Sequence, residues 1–363
     1  MAKPLRAILV ASLAVLAATG SQGESRQSDA AGPAVTAPQP DMPLSVMTYN
    51  VMGLPWPVAF GRDEALGRIA ERLAALRRAG RQPHIVLLQE AFSPEAVQLA
   101  RRAGYAHVAI GPDSGLRTAI AARTDDRNFL QAARWDRGET APKQLNSGLL
   151  ILSDYPIVGI DRMAYPDFAC AGFDCLANKG VLIAHLAVPG FDRPVSIVNT
   201  HLNARKAAGV AIARSQQAFD RQAGLLADFV RAHVLAGQPM ILGGDLNIGG
   251  DSNRFQAFFA RWARVGMGFV AAHLGGARRA LADRVLTDVG NHADLEQASA
   301  RGKDWLFARD GGGRPMSVVH AAVPFGTEAE GAPLSDHFGY MIAYAPDGDK
   351  VQLASREAVA SWR

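Results

Sequence analysis

Mixed β-sheets flanked by helices, an α/β class, are what this chain of 363 residues predicts. Three observations carry the prediction. Short apolar runs, about four to eight residues each, recur from Leu44 to Tyr344 and read as buried strands. Long stretches with apolar residues on one helical face lie between some of them. Some links are tight turns and others are crossovers, which calls for both antiparallel and parallel pairing.

The elements follow in order. Leu44 to Val51 is the first strand, and the prolines of Gly53-Leu54-Pro55-Trp56-Pro57 force a loop after it. From Asp63 to Arg78, Leu66, Ile69, Ala70, Leu73 and Leu76 mark one helix face, and Gly80 ends the helix. Ile85 to Leu88 is a strand that delivers Glu90. Ser93 is placed to cap a helix with Pro94 in its first turn, ending by Gly104. Residues 111–145 are polar and give no clear element. Ser147 to Leu152 is a strand closed by Asp154-Tyr155-Pro156. Met163 to Asn178 reads as a long loop. Val181 to Leu186 and Ser196 to Thr200 form a strand pair around Pro189-Gly190. Arg214 to Leu235 is a long amphipathic helix, and Met240 to Leu242 leads into Gly243-Gly244-Asp245. Residues 266–300 read as irregular. Trp305 to Phe307, Ser317 to His320 and Phe338 to Tyr344 complete the strands.

The first 42 residues read differently. Lys3 and Arg6 precede a small-residue apolar run from Ala7 to Ala18, the pattern of an export signal over 1–23. The alternative, a retained helix, is disfavoured because a span needs about 20 apolar residues. Residues 24–42, rich in Ser, Gln, Ala and Pro, read as a flexible leader. Residues 43–363 then form one catalytic domain, secreted or periplasmic. Without Lys3 and Arg6 the formal charge of +4 becomes +2 (4 − 2). That near balance argues against a strongly electrostatic nucleic-acid binder but leaves room for a local basic patch. In an exported chain a disulfide between Cys170 and Cys175 is the default, and two Cys without a neighbouring His argue little for zinc.

The chemistry sits where apolar runs end. Glu90 follows Ile85-Val86-Leu87-Leu88, and one carboxylate with several waters is a common way to hold Mg²⁺. Asp245 and Asn247 alternate around Leu246 and point to one side of an extended segment, suited to orienting water and phosphate. They also fit an Asx-type turn. His201 and His337 each end such a run, so one could deprotonate water while the other protonates a leaving oxygen. Asp304 suits either an imidazole partner or an ion pair with Lys303. No Gly-x-Ser-x-Gly elbow occurs, which disfavours a serine hydrolase.

Taken in order, Tyr49-Asn50-Val51, Leu88-Gln89-Glu90, Thr200-His201-Leu202-Asn203, Gly244-Asp245-Leu246-Asn247 and Ser335-Asp336-His337 resemble the endonuclease/exonuclease/phosphatase superfamily. This group includes deoxyribonuclease I and the magnesium-dependent sphingomyelinases. Asn146-Ser147-Gly148-Leu149 and Asp174-Cys175-Leu176-Ala177-Asn178-Lys179-Gly180 look most like the secreted sphingomyelinase branch. The resemblance implies a four-layer, deoxyribonuclease I-like sandwich of two mixed β-sheets flanked by helices. It implies Mg²⁺, with Mn²⁺ or Co²⁺ as substitutes, on Glu90, Asn50 and Asp336. It makes His337 the general base backed by Asp304, and His201 the general acid or a phosphate donor. Asp245 and Asn247 orient phosphate and nucleophile, and Asn203, Asn146 and Lys179 bind substrate. The implied reaction is in-line hydrolysis of sphingomyelin to ceramide and phosphocholine at a phospholipid surface. A secreted nuclease acting on nucleic acid is the alternative. Trp56, Phe60, Tyr165, Phe168 and Phe173 fit either interfacial aromatics or core.

Overall fold

A computed structural model of the chain describes residues 43–55, 59–285 and 291–345. Residues 1–42, read above as an export signal and a leader, and Trp56 lie outside the described residues. The elements are β1 (Leu44–Asn50), α1 (Arg62–Arg78), β2 (Ile85–Gln89), α2 (Pro94–Arg102), β3 (His107–Ile110), α3 (Thr124–Gln131), β4 (Leu150–Ser153), β5 (Ile157–Ala164), β6 (Gly180–Leu186), β7 (Val195–His201), α4 (Ile212–His233), β8 (Met240–Asp245), α5 (Ser252–Arg264), α6 (Gly276–Ala282), α7 (His292–Arg301), β9 (Asp304–Arg309), β10 (Val318–Phe325) and β11 (Gly339–Tyr344).

The strands form two mixed sheets, ordered β10-β11-β1-β2-β4-β3 and β5-β6-β7-β8-β9. Each sheet has one parallel pair, β1–β2 and β7–β8, and each pair is joined by a crossover helix, α1 or α4. Parallel neighbours need such a crossover, whereas tight turns suffice for the antiparallel ones.

Side-chain alternation explains the layers. On β2, Ile85 and Leu87 face the second sheet and pack with Ile197, Ile241 and Leu306. Val86 and Leu88 face the other way, against Ile69 and Leu73 of α1. The second sheet repeats this plan, with Val198 and Leu242 packed on Phe219 and Leu226 of α4 and on Phe258 and Trp262 of α5. The result is helix, sheet, sheet, helix. Burial on both faces is why β2 reads as an unbroken apolar run. Truncating a residue such as Leu87, which is 0 % exposed, costs about 2–5 kcal/mol.

Some elements differ from the sequence reading. β5 is a sheet-edge strand whose residues alternate between half-buried and exposed up to Arg162, so it lacks a continuous apolar run. β3, α3 and α5 are also additional. In α5 the buried stripe is Arg254, Phe258 and Trp262, and the charge interrupts the apolar period. Residues 266–300 are not irregular throughout, because α6 and α7 form there. Their stripes are mostly Gly and Ala, which carry little hydrophobic signal. Ser93 caps α2 as its sequence requires, accepting from Ala96 N.

Beyond β5, the loop to Asn178 folds into two short 3₁₀ turns, Asp167–Ala169 and Gly172–Leu176. Cys170 and Cys175 are disulfide-bonded there. Tyr165 and Phe168 are core residues, while Phe173 and Phe60 are exposed. Among the described residues no helix is long and apolar enough to cross a membrane.

Candidate active site

Strand register assembles the site. Across the five-stranded sheet, His201 pairs with Asp245 and Asp245 with Asp304, so the three lie side by side at one rim. In the other sheet Asn50 pairs with Gln89, and Glu90 follows one step beyond. Asn50 Nδ2 joins the two rims, donating to Glu90 Oε1 at 2.9 Å and to Asp245 Oδ2 at 3.2 Å. Behind them the sheets are stapled by buried amides. Gln89 Nε2 donates to Asn199 Oδ1 at 2.8 Å, and Asn199 Nδ2 reaches the carbonyls of Leu88 and Leu150. Buried amides must be paired, so this staple fixes the spacing of the rims.

At one end of the site an imidazole lies between two carboxylates. His337 Nδ1 donates to Asp304 Oδ2 at 2.8 Å, and its Nε2 lies 3.7 Å from Asp245 Oδ2. Asp304 is thus the imidazole's partner, and Tyr340 Oη donates to its backbone carbonyl. Burial works against a charged His337, but the carboxylates of Asp304 and Asp245 outweigh it and raise its pKa to about 9. Burial raises Asp245 to about 6, opposed by His337. Asp245, Asp304 and His337 each offer a ligand atom within 4.8 Å of the others, a donor set compatible with a divalent metal.

His201 behaves differently. Burial, then the neighbouring Lys179, hold its pKa well below the ordinary value. Lys179 Nζ lies 3.1 Å from His201 Nε2 and pairs with Asp174 at 2.9 Å. An ammonium has only donors, so the imidazole accepts at Nε2 and carries its proton on Nδ1, which is buried without a partner. His201 is a buried polar neighbour of Asp245, 3.5 Å from its Oδ2.

The opposite end suits a hard cation. Glu90 has a left-handed backbone, with φ 54, and Met52 and Asn247 at the ends of neighbouring strands share that conformation. For residues with a side chain it costs about 1–2 kcal/mol each, and such strain gathers at functional sites. Gly53 N donates to Glu90 O, and a Cβ on Gly53 would lie 2.5 Å from that oxygen, so only glycine fits. Burial raises the Glu90 pKa, with the Asn50 hydrogen bond opposing it. A desolvated carboxylate with one amide donor fits an oxygen-seeking divalent ion. Asp336 is exposed on the adjacent loop. Ser335 Oγ donates to Asn50 O at 2.6 Å, and buried Arg62 reaches the carbonyls of Val51, Met52 and Leu334, tying this loop to β1. Asn50 is oriented by the turn that follows it. Its side-chain oxygen accepts from Met52 N at 3.0 Å, which turns its NH₂ toward the carboxylates. It holds them as a donor, and its oxygen keeps a second lone pair.

The remaining amides divide. Asn247 N donates to Asp245 Oδ1 at 3.0 Å and its side chain to Leu202 O, so it shapes the turn at the rim. Asn203 is fully buried, and its carboxamide lies between Ala171 N and Ala204 O. That corrects its substrate-binding assignment to a tie between the cysteine loop and β7. Asn146 Oδ1 accepts from Gly148 N in the turn whose carbonyl receives Ala91 N, next to Glu90. Arg254 escaped the sequence reading. Its buried guanidinium donates to the carbonyls of Asn203, Asn247 and Ser215 and stacks over Phe219. A charge at the head of an i, i+4, i+8 stripe was its signal.

A comparison with curated proteins found no match. Among solved structures, sphingomyelinase C from Streptomyces griseocarneus is similar at 21% identity and a TM-score of 0.56, covering 83% of this chain and 99% of that one. A β toxin mutant from Staphylococcus aureus with bound magnesium ions is similar at 17% identity and 0.54, covering 84% and 99%. D. rerio TDP2 complexed with single strand DNA product is similar at 18% and 0.51, covering 83% and 98%. These likenesses share the fold of two mixed sheets with flanking helices. The model of the Endonuclease/Exonuclease/phosphatase family matches residues 47–337. The chain therefore belongs to that family, as a metal-dependent hydrolase of the phosphodiesterase type.

Proposed function

We propose that this protein is an exported, Mg²⁺-dependent phosphodiesterase that hydrolyses sphingomyelin by in-line attack of water. The observation that carries the reaction is the Asp304–His337–Asp245 string on one rim facing Glu90 on the other. His337 Nε2 is the atom that takes the proton from water. Asp304 at Nδ1 fixes the tautomer and stabilises the imidazolium that forms. Asp245 faces the same Nε2 and, with the Asn247 turn, confines the nucleophile. Glu90, with Asp336 nearby, would hold the divalent ion, which supplies charge against the phosphate oxygens and favours neutral His337. The sphingomyelin reading is supported by the Asp174 to Gly180 segment, which places Lys179 against His201, and by the fold shared with bacterial sphingomyelinases. A phospholipid surface is then the transient partner, and exposed Phe60 and Phe173 suit its interfacial zone.

A second reading, a nuclease, is favoured by one observation. Arg205, Lys206 and Lys303 gather beside Asn247, and cationic grooves serve phosphate backbones. The deciding experiment is Mg²⁺-dependent turnover of residues 24–363 on sphingomyelin vesicles and on double-stranded DNA, with and without EDTA. Phosphocholine release abolished by EDTA is the expected result. DNA cleavage alone replaces the lipid substrate, and activity on neither overturns both.

A further inference from the structure

We propose that two buried arginines, Arg62 and Arg254, are positioning residues, one for each rim of the site. This rests on the phosphodiesterase reading but not on the choice of sphingomyelin. The two rims end in matching turns. After β1, Asn50 Oδ1 accepts from Met52 N at 3.0 Å; after β8, Asp245 Oδ1 accepts from Asn247 N at 3.0 Å. Met52 and Asn247 both have φ 48. That left-handed conformation is unfavourable for a residue with a side chain and persists only where the surroundings over-determine it. An arginine supplies the second constraint at each turn. Arg62 Nε donates to Met52 O at 2.7 Å, and Arg254 Nη1 to Asn247 O at 2.9 Å. Each also reaches another loop of its rim. Arg62 Nη2 donates to Leu334 O at 2.6 Å, just before Ser335 and Asp336. Arg254 Nη1 donates to Asn203 O at 2.8 Å, two residues past His201.

Both side chains come from the start of the next helix, since Arg62 opens α1 and Arg254 is the third residue of α5. Arg254 is 0 % exposed and Arg62 9 %. Burying a charge is a costly way to gain stability. Here main-chain carbonyls receive it: those of Val51, Met52 and Leu334 for Arg62, and those of Asn203, Ala204, Ser215 and Asn247 for Arg254. A planar fork of five donors holds carbonyls of separate segments at one fixed spacing, and a single ammonium does not. The charge is explained by the spacing that it fixes.

The two arginines serve different groups. Asn50 Nδ2 holds Glu90 Oε1 and Asp245 Oδ2. Arg62 sets Asn50 through Met52 and sets the Asp336 loop through Leu334, so it acts on the carboxylates assigned to the cation. Arg254 sets Asp245 through Asn247, so it acts on the group that faces His337 Nε2. Loss of one arginine should therefore leave a different signature from loss of the other.

The test uses Arg62→Lys and Arg254→Lys, which keep the charge and lose the fork. Turnover is measured on bis(p-nitrophenyl) phosphate, Mn²⁺ binding by calorimetry without substrate, and amide exchange by NMR. Arg77→Lys, which breaks a tie to Ala103 O and Asp154, is the control. We expect Arg62→Lys to weaken Mn²⁺ binding by roughly tenfold or more, with saturating Mg²⁺ restoring most of kcat. Arg254→Lys should lower kcat roughly 10–100-fold, with KM and Mn²⁺ affinity within about threefold. Exchange should quicken at Met52 N in the first variant and at Asn247 N in the second. Arg77→Lys should lower the melting temperature without either signature. The same losses in both site variants, or either signature in Arg77→Lys, would make the arginines structural and overturn the proposal. If a variant fails to fold, the wild type decides. Its Met52 and Asn247 amides must exchange more than about 100-fold slower than in an unfolded chain, and free exchange overturns the proposal. A wild type that cleaves no phosphodiester sinks the phosphodiesterase reading instead, while exchange and Mn²⁺ binding still judge the arginines.

Discussion

The two rims of the site are built differently. The five-stranded sheet presents Asp245 and Asp304 already arranged around His337, with His201 held by Lys179 and Lys179 held by Asp174. The six-stranded sheet presents Glu90 with a single amide donor and strained backbone around it. Proton transfer needs fixed tautomers and short distances, so its groups are linked to one another in advance. A hard cation brings its own charge and waters, so its protein ligand stays under-satisfied until the ion arrives. On the proposed reading, the difference separates a prebuilt half from a half that a cation would complete.

Breaking the prebuilt half should have the largest effect. His337→Ala is expected to lower turnover at least about 100-fold while substrate binding survives. A loss under about tenfold in kcat, at unchanged fold, would place the base elsewhere. Asp304→Asn tests the same string more gently. Loss of its charge should bring the His337 pKa down from about 9, read directly from the imidazole NMR shift. The rate should fall about 10–100-fold.

The other half should fail through the metal. Glu90→Gln keeps the side chain's shape and its hydrogen bond with Asn50 but removes the charge. It should raise the Mg²⁺ concentration for half-maximal activity by more than about tenfold, with saturating Mg²⁺ restoring part of the rate. Unchanged Mg²⁺ dependence would remove Glu90 from the metal site.

How much of this was legible in the sequence follows the same division. Glu90, His201, Asp245, Asp304 and His337 all stand at or just beyond strand ends, so apolar runs pointed at them before any contact was known. Their grouping was not legible, because it depends on register: His201 against Asp245 against Asp304. The staple of Gln89 and Asn199 was hidden for the same reason, since the paired residues lie far apart in sequence and in different sheets. Asn203 and Asn50 show a further limit. An amide beside a catalytic motif reads equally as a ligand or as a structural tie, and only its partners decide. Arg254 vanished because a buried charge breaks the periodicity by which helices are read.

The proton-handling half should also mark the stability of the metal-free protein. His337 ionises at about 9 when folded, above its ordinary value of 6.5. A raised value stabilises the fold fully below 6.5, and that contribution is lost as pH rises through 9. Metal-free protein should therefore melt at a lower temperature near pH 10 than near pH 7. His337→Gln should flatten that slope, and a wild-type slope retained in the variant would assign it to another group.

The smallest effect is expected at the cysteine loop, which touches the prebuilt half from outside. Asp174, next to Cys175, bonds both Lys179 and Ala204 N. Reduction of Cys170–Cys175 releases a closure of few residues, worth about 2 kcal/mol in the chain-entropy view. The loop keeps other ties: Ala171 N to Asn203, Gly172 N to Glu139 and Phe173 N to Ala208 O. Lys143 also holds the carbonyl of Cys175 at 3.0 Å. With these in place, reduction should lower the melting temperature by less than about 8 °C. Activity should change little, because Lys179 still finds Asp174. A collapse of the whole domain on reduction would mean that the disulfide, rather than this hydrogen-bond set, holds the His201 side of the site.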